Sequence, residues 1–477
     1  MPRPPTGTVR QLAVLALLIT ACQTTPPSTS PPAPLPEDGA TAAPRPTAPQ
    51  RPTDPLPPAD GAETRALWSW AVRDARSRAD IDQLIARLDR AHLNVVLALV
   101  YYRGTAYFEP SRTRFSDAER LPNKSRFKDD EYADALEYLV ALRDARRADA
   151  DPFNDFEVHA WFAVHQGGHT DNTQPAPEPD LTQPYMLNAL FPEFRLKLKP
   201  YYAAGDRRYV DHGVSVIQQP KFRAYISNLI AGVIEDYHLD GAHLDYIRTG
   251  SICFNDDVLD YPGTDFDYPG CQADYRAWTQ ATYGWAYDLM LDTTRSGQIA
   301  DGGSGRVAAW LEYNVGLLVQ TIQAEVKAAS PRAVLSAAVG VTSPDPVERR
   351  ESRNGQAAWE WLDRGWIDAA FVMAYTSNTE GALRKTQRFI NAVEDPDSRS
   401  RIFPGLAVYD EELGPWSSLV ADQVEAVTGR RAGAGAGTLQ PPARGLALFV
   451  DRHFSTAAAD SLAAGPFSQP ARPFWGE

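Results

Sequence analysis

The feature that most constrains this chain is an alternation, met eight times, of a short apolar run and a segment with helical spacing of its apolar residues. The runs fall at Leu67–Val72, Leu93–Val100, Glu157–Val164, Gly241–Ile247, Val334–Val341, Ile367–Tyr375, Ile402–Tyr409 and Leu446–Val450. Several are apolar almost throughout, which suits parallel strands covered on both faces. Between the first two, Ser77 and Asp80 form a capping pair ahead of Ile81, Leu84, Ile85 and Leu88, one face of a helix. Pro220 stands where a first helical turn tolerates it, ahead of a wide stripe from Phe222 to Ile234. Eight such units predict an α/β fold of one kind, a (β/α)8 TIM barrel with long βα-loop insertions. A doubly wound open sheet is the competing arrangement, and it lacks the Gly-rich phosphate turn after the first strand. The 477 residues are many for one domain, but a barrel with insertions, the longest near 166–218, fills them.

The expected domain occupies 63–477, behind two segments of different character. Residues 1–22 read as a lipoprotein signal peptide: Arg3 and Arg10, an apolar run from Leu12 to Ile19, then Leu18-Ile19-Thr20-Ala21-Cys22. The run is too short to span a bilayer. The ending resembles a bacterial lipobox, which makes Cys22 the lipidated residue and the membrane a partner through that lipid. Gln23 is not the aspartate that commonly retains such proteins at the inner membrane, which favours the outer one. Residues 23–62, dominated by Pro, Thr, Ala and Ser, read as a disordered tether.

The formal net charge of -14 argues against a nucleic-acid partner, which needs a basic face. Of three cysteines, Cys253 and Cys271 remain after Cys22. In an exported chain they read as a disulfide closing a loop of about 18 residues, worth roughly 3 kcal/mol by chain entropy. No His or further Cys stands near them, so a metal site is disfavoured. The acidic stretch of Asp256, Asp257, Asp260, Asp265 and Asp267 lacks the spacing of a calcium loop and reads as a solvated flap. No cofactor motif is visible, and oligomeric state is not legible.

In a barrel the chemistry sits at the C-terminal ends of the strands. The polar residues there include Asp74, Arg103, Tyr107, Glu109, His165, Asp245, Tyr246, Arg248, Asp345, Glu348, Tyr375, Glu380, Tyr409 and Asp410. The sharpest motif is Asp240-Gly-Ala-His-Leu-Asp245-Tyr-Ile-Arg248. On one strand its aspartates lie about 16–17 Å apart and on opposite faces. That separation excludes them as a catalytic pair, which needs about 5–10 Å. Asp240 belongs at the strand entrance in a structural hydrogen bond. Asp245, on the face of His243 and Gly241, projects into the mouth if that face is the lumen. There it is either a catalytic carboxylate held ionised by Arg248 or a structural ion pair with it. Sugar rings stack on aromatic faces, so Trp161, Tyr246, Tyr375 and Tyr409 are expected to bind substrate with Arg103, Tyr107, Arg248 and Asp410. Trp68 and Trp359 are expected in the core. His159, alternating inward with Trp161, is either a substrate ligand or a satisfied core residue.

These motifs together resemble the glycosyl-hydrolase-like 10 family of bacterial barrel proteins. The matching stretches are Thr64-Arg-Ala-Leu-Trp-Ser-Trp70, Arg103-Gly104 with Tyr107, Val158-His-Ala-Trp-Phe162, Asp240–Arg248, Gly365-Trp-Ile-Asp368, Met373-Ala-Tyr375 and Pro404-Gly-Leu-Ala-Val-Tyr409. The resemblance implies a glycosidase acting on a bacterial or plant polysaccharide. It includes outer-membrane lipoproteins that act on peptidoglycan glycan strands stripped of peptide. It also makes Asp211, in the insertion after the third strand, a candidate second carboxylate beside Glu380 and Asp410. Thr105 stands where many relatives carry an acidic residue, and no glutamate directly follows the fifth strand. A hydrolase needs two roles, an acid and a nucleophile or base. The competing function is therefore a non-catalytic carbohydrate-binding lipoprotein with a degenerate site.

Overall fold

The computed structural model describes residues 61–149, 153, 155–168, 183–194, 201–203, 206–208, 215, 217–248, 271–289, 292, 303–340, 355–410, 414–415, 417–430 and 439–475. Eight parallel strands form its centre: β1 (Thr64–Ser69), β2 (Val95–Tyr102), β3 (Glu157–Ala163), β4 (Gly241–Asp245), β5 (Val334–Val339), β6 (Ala369–Met373), β7 (Ile402–Ala407) and β8 (Gly445–Phe449). Each pairs with the next in sequence, and β1 pairs with both β2 and β8, so the sheet closes as a (β/α)8 barrel. A helix follows every strand: α1 (Arg78–Ala91), α2 (Ala135–Arg147), α3 (Pro220–Tyr237), α4 (Gly303–Ala329), α5 (Ala358–Asp363), α6 (Thr379–Ala392), α7 (Ser417–Val427) and α8 (Thr456–Ala464). The capping pair of α1 is present, with the Asp80 carboxylate accepting from the Ser77 amide at 3.0 Å.

Alternation along the strands divides the apolar residues between two cores. Leu67, Val96, Val158, Phe162, Leu335 and Val372 face the helices, with Trp359 among them. Ala66, Trp68, Leu97, Leu99, Trp161, Phe371 and Phe403 fill the lumen. Trp68 sits at the centre, where its indole N–H donates to His243 Nε2 at 2.9 Å. That bond leaves the His243 proton on Nδ1, which faces Ser336 Oγ at 2.9 Å. The expected first strand, Leu67–Val72, begins and ends earlier than its apolar run suggests. Trp70 turns into the helical region, and a short helical turn spans Ala71–Asp74.

The N-terminal end of the barrel is sealed. Phe474 is tied to Thr64 by hydrogen bonds at 2.8 and 2.9 Å, and the Trp475 indole N–H donates to Glu157. Trp475 also stacks on His159, with ring centroids 5.0 Å apart. Asp240 sits at this end, as expected, held by Arg143 at 3.0 Å, Arg147 at 2.8 Å and the Val158 amide at 2.9 Å.

Candidate active site

At the opposite end β4 delivers Asp245 on the face of His243, which is the lumen. Its side chain is nearly enclosed, the residue being 9% exposed. One carboxylate oxygen accepts from the Tyr246 amide at 2.7 Å, the other from the Trp161 indole N–H at 3.2 Å. Arg248 does not act as the expected clamp. It lies over the ring of Tyr246, 4.5 Å from the centroid, and reaches Asp245 only through its field. Loss of hydration outweighs that field and the two donors, so burial pushes the Asp245 carboxyl above the usual carboxylate range.

The walls around Asp245 are aromatic. Trp161 meets Trp70 at 6.4 Å, and Trp70 meets Tyr102 at 5.6 Å. Across the mouth Tyr375 stacks on Phe449 at 4.9 Å, and Phe449 approaches Trp161 at 6.5 Å. His165, just past β3, is buried with Nδ1 2.6 Å from the Tyr246 carbonyl oxygen. A carbonyl only accepts, so Nδ1 carries the proton and Nε2 is left as an acceptor. Burial pushes this imidazole down to about 4, and it is neutral at ordinary pH.

Two non-glycine residues at the strand ends hold left-handed backbone, Arg103 (φ 51) after β2 and Tyr246 (φ 49) after β4. Such conformations cost about 1–3 kcal/mol each and cluster at functional sites. Arg103 is fixed there by its neighbour: the Gly104 amide donates to the Gln166 carbonyl at 2.8 Å. A side chain at Gly104 would meet the Gly167 carbonyl oxygen at 2.0 Å, so the turn tolerates nothing larger. Beside this turn lies a cavity of about 200 Å³ lined by Arg73, Asp74, Tyr102, Arg103, Tyr107 and Arg126, among others.

The structure thus gathers Asp245, Trp161, Tyr246, Arg248, Arg103, Tyr107 and Tyr375 at one end of the barrel. His159 is not among them. It faces the lumen as expected, but its β-partner is Gly241 at the start of β4, whereas that of Trp161 is His243. It binds Glu157 at 3.0 Å under Trp475, at the sealed end, so its expected contact with substrate is corrected. Glu380 occupies the first turn of α6 with its side chain 87% exposed, facing Arg384 at 3.6 Å, a solvated helix position. Glu109 is likewise drawn outside the barrel, its amide bound by the Tyr237 hydroxyl at 2.9 Å. Tyr409 and Asp410 form a two-residue strand against Gly414–Pro415. Asp211, Asp345, Glu348, the acidic flap, Cys22 and Cys253 lie outside the described residues, and Cys271 opens a helix to Tyr283. Among the described residues no group of His, Cys, Asp or Glu is arranged to hold a metal ion.

Sequence reasoning did not assign Trp70, Tyr102, Arg73 or Arg126 to the site. Trp70 lies inside the predicted first strand and Tyr102 just past the predicted second, which was a usable signal. Arg126 arrives from far along the loop after β2, and nothing in its surroundings marked it.

A model of the glycosyl hydrolase-like 10 family matches residues 63–413, most of the chain. The chain belongs to that family. Glycosyl hydrolase-like 10 proteins are enzymes of glycoside-hydrolase type, with the substrate left open. Among solved structures, this member of the family is similar to the PgaB (BpsB) glycoside hydrolase domain from Bordetella bronchiseptica. The two share 16% identity at a TM-score of 0.51, over 85% of this chain and 96% of that one. An alpha-L-fucosidase isoenzyme 2 from Paenibacillus thiaminolyticus aligns with TM-score 0.46 and 11% identity, over 84% of this chain and 48% of that one. No curated protein matches.

Proposed function

We propose that this protein is a glycosidase of the cell envelope in which Asp245 is a catalytic carboxyl. The observation that carries the reading is the placement of Asp245 on the lumen face of β4, nearly enclosed, between an indole N–H and aromatic walls. Its raised pKa suits delivery of a proton to a leaving glycosidic oxygen, because a solvated aspartate is ionised too readily to act as an acid at neutral pH. The oxocarbenium-like state also needs a second carboxylate. We assign it to the loops after β3 and β5, where Asp211, Asp345 and Glu348 stand in the sequence, with Asp211 first. The substrate we favour is the glycan strand of peptidoglycan freed of its peptides. The protein meets it from the outer membrane, anchored by lipid at Cys22 and extended by the Pro-rich segment, with Cys253 and Cys271 joined as a disulfide. Among the described residues no helix is long and apolar enough to cross a membrane.

The test is incubation of the protein and of Asp245→Asn with peptide-free glycan strands and a panel of neutral polysaccharides, with products read by mass spectrometry. Cleavage of one substrate, lost in the variant, is expected. Binding by both proteins without cleavage of anything supports the non-catalytic carbohydrate-binding reading instead.

A further inference from the structure

The chain between β4 and α4 builds a small structure of its own. After the helix Cys271–Tyr283, residues 284–289 fold back along it. There the Tyr287 amide donates to Thr279 Oγ at 3.0 Å and the Leu289 amide to Gln272 Oε1 at 3.2 Å. Arg306 of α4 grips the Asp292 carboxylate at 2.7 and 3.0 Å, and the Tyr275 hydroxyl donates to it at 2.5 Å. Tyr275, Leu289, Val307, Trp310 and Leu311 form a core separate from the two of the barrel.

The length of α4 sets where this core stands. Its 27 residues span about 40 Å, against about 20 Å for the six of β5. Val315, Leu318, Val319, Ile322 and Val326 of α4 pack on the barrel. A side chain at Gly355 would meet Leu311 at 2.9 Å and Val315 at 2.7 Å. The adjoining Gln356 binds the Gly340 amide and the Ile247 carbonyl, just past the ends of β5 and β4. Leu311 is therefore level with those strand ends, and the first turns of α4 rise beyond them, on the rim of the mouth.

Aliphatic groups lie inside this structure and aromatic rings outside. Trp278 lies between Tyr283 at 5.7 Å and Tyr313 at 6.0 Å, and Tyr283 meets Tyr287 at 6.3 Å. Trp285 is 73% exposed and Tyr313 46%. So much exposed ring surface in one place marks a binding face. The small core and the Asp292 network hold it in shape, so a ligand need not order it. Trp and Tyr combine a flat apolar face with a polar edge. A pyranose matches both, with C–H bonds on its face and hydroxyls round its rim. The charges nearby are almost balanced, Asp274, Asp288 and Glu312 against Arg276 and Arg306. An anionic bilayer would call for an excess of Lys and Arg, which these segments do not have.

We infer that this aromatic face is a second polysaccharide-binding site, which holds a distant stretch of the chain whose glycosidic bond lies at Asp245. For its catalytic consequence the inference rests on the proposed glycosidase function. That consequence is selection by length, because a long chain gains a second contact that a short one cannot reach.

The protein and its Trp285→Ala/Tyr313→Ala variant are run through native gels containing peptide-free peptidoglycan strands, glycol chitin or mixed-linkage β-glucan. Retardation by at least one polymer is expected, with its apparent Kd raised about tenfold in the variant, as the loss of one or two ring contacts gives. Hydrolysis is then measured on that polymer and on its tetrasaccharide. In the variant kcat/KM is expected to fall about tenfold on the polymer and to hold on the tetrasaccharide. Circular dichroism checks that the variant is folded; if it is not, Trp285→Ala alone takes its place. Equal retardation of the two proteins, or none by any polymer, overturns the inference. So does an equal loss on the tetrasaccharide, which would put the rings in the catalytic cleft itself. Pelleting with phosphatidylglycerol vesicles, or self-association, that the variant loses without any retardation gives the face to a membrane or a second copy and also overturns it. Retardation weakened in the variant, with no hydrolysis by either protein, upholds the site and overturns the glycosidase reading instead.

Discussion

The two ends of one barrel lumen are built on opposite terms. At the N-terminal end charges meet partners: Glu63 with Arg65 and Arg430, Asp240 with Arg143 and Arg147, and Asp368 with Lys327. Trp475 closes the opening over His159, whose Nδ1 is the exception, buried without a hydrogen-bond partner among the described residues. Left-handed non-glycine backbone occurs at both ends, at His92 and His238 ahead of β2 and β4, and at Arg103 and Tyr246 beyond them at the C-terminal end. There Asp245 and His165 are shifted toward their neutral forms, and the buried Trp70 Nε1 lacks a partner among the described residues. The sealed end spends its polar groups on stability. The other end accepts desolvation, the condition in which acids, bases and ligand-binding groups are kept ready.

The largest expected effect sets two aspartates of one motif against each other. Asp245→Asn removes the acid and should lower kcat by about 10²–10⁴-fold. It should not lower stability, and should raise it slightly at neutral pH, because an uncharged amide replaces a carboxyl whose burial is already unfavourable. Asp240→Asn should do the reverse. It leaves Arg143 and Arg147 short of a charge and should cost about 2–3 kcal/mol, below the figure for a fully buried pair because Arg147 is 34% exposed. Its kcat per folded molecule should be unchanged. Urea denaturation beside steady-state kinetics reads both, and equal losses of activity in the two variants would break the contrast between the ends.

How much of this was legible follows from the kind of information periodicity carries. Alternation reports which way a side chain points, so the eight strands, the inward face of β4 and the core positions of Trp68 and Trp359 could be read directly. It does not report depth. His159 and Trp161 share a face, yet one lies under the Trp475 plug and the other against Asp245. Nor does it report contacts between distant segments. The end of β1 was set too late because Ser69 and the Trp70 amide are captured by Asp451, which follows β8 (at 2.8 and 3.2 Å). Arg248 was expected to pair with Asp245, and nothing local shows that it rests on Tyr246 instead.

A smaller effect follows from His165. Its imidazole is held down to about 4 in the folded protein, against an ordinary value near 6.5. The unfolded chain therefore binds a proton that the folded one refuses between these values. The sign is that stability contributed by neutral His165 is complete above about pH 6.5 and is lost as the pH falls toward 4. Between pH 7 and 5 this amounts to about 2 kcal/mol. His165→Gln, which keeps a donor for the Tyr246 carbonyl, should lose correspondingly less stability over that interval. Parallel denaturation curves for the two proteins at pH 7 and 5 would show that the imidazole is not held neutral and that the mouth is wetter than its packing indicates.

The smallest effect isolates backbone strain from side-chain chemistry. Arg103 occupies a conformation that asparagine tolerates better than most side chains, because its short polar group bonds locally. Arg103→Asn should therefore stabilise the protein by about 0.5–1 kcal/mol. The same change removes a guanidinium from the wall of the mouth and should weaken substrate binding there. A gain in stability joined to a loss in substrate binding is what a strained functional residue predicts, since the protein then retains a less stable backbone for the sake of where Arg103 points. A loss of stability would instead mean that Arg103, like Arg65 at the sealed end, is held chiefly for its contacts, and the mouth would resemble the sealed end more closely than its geometry suggests.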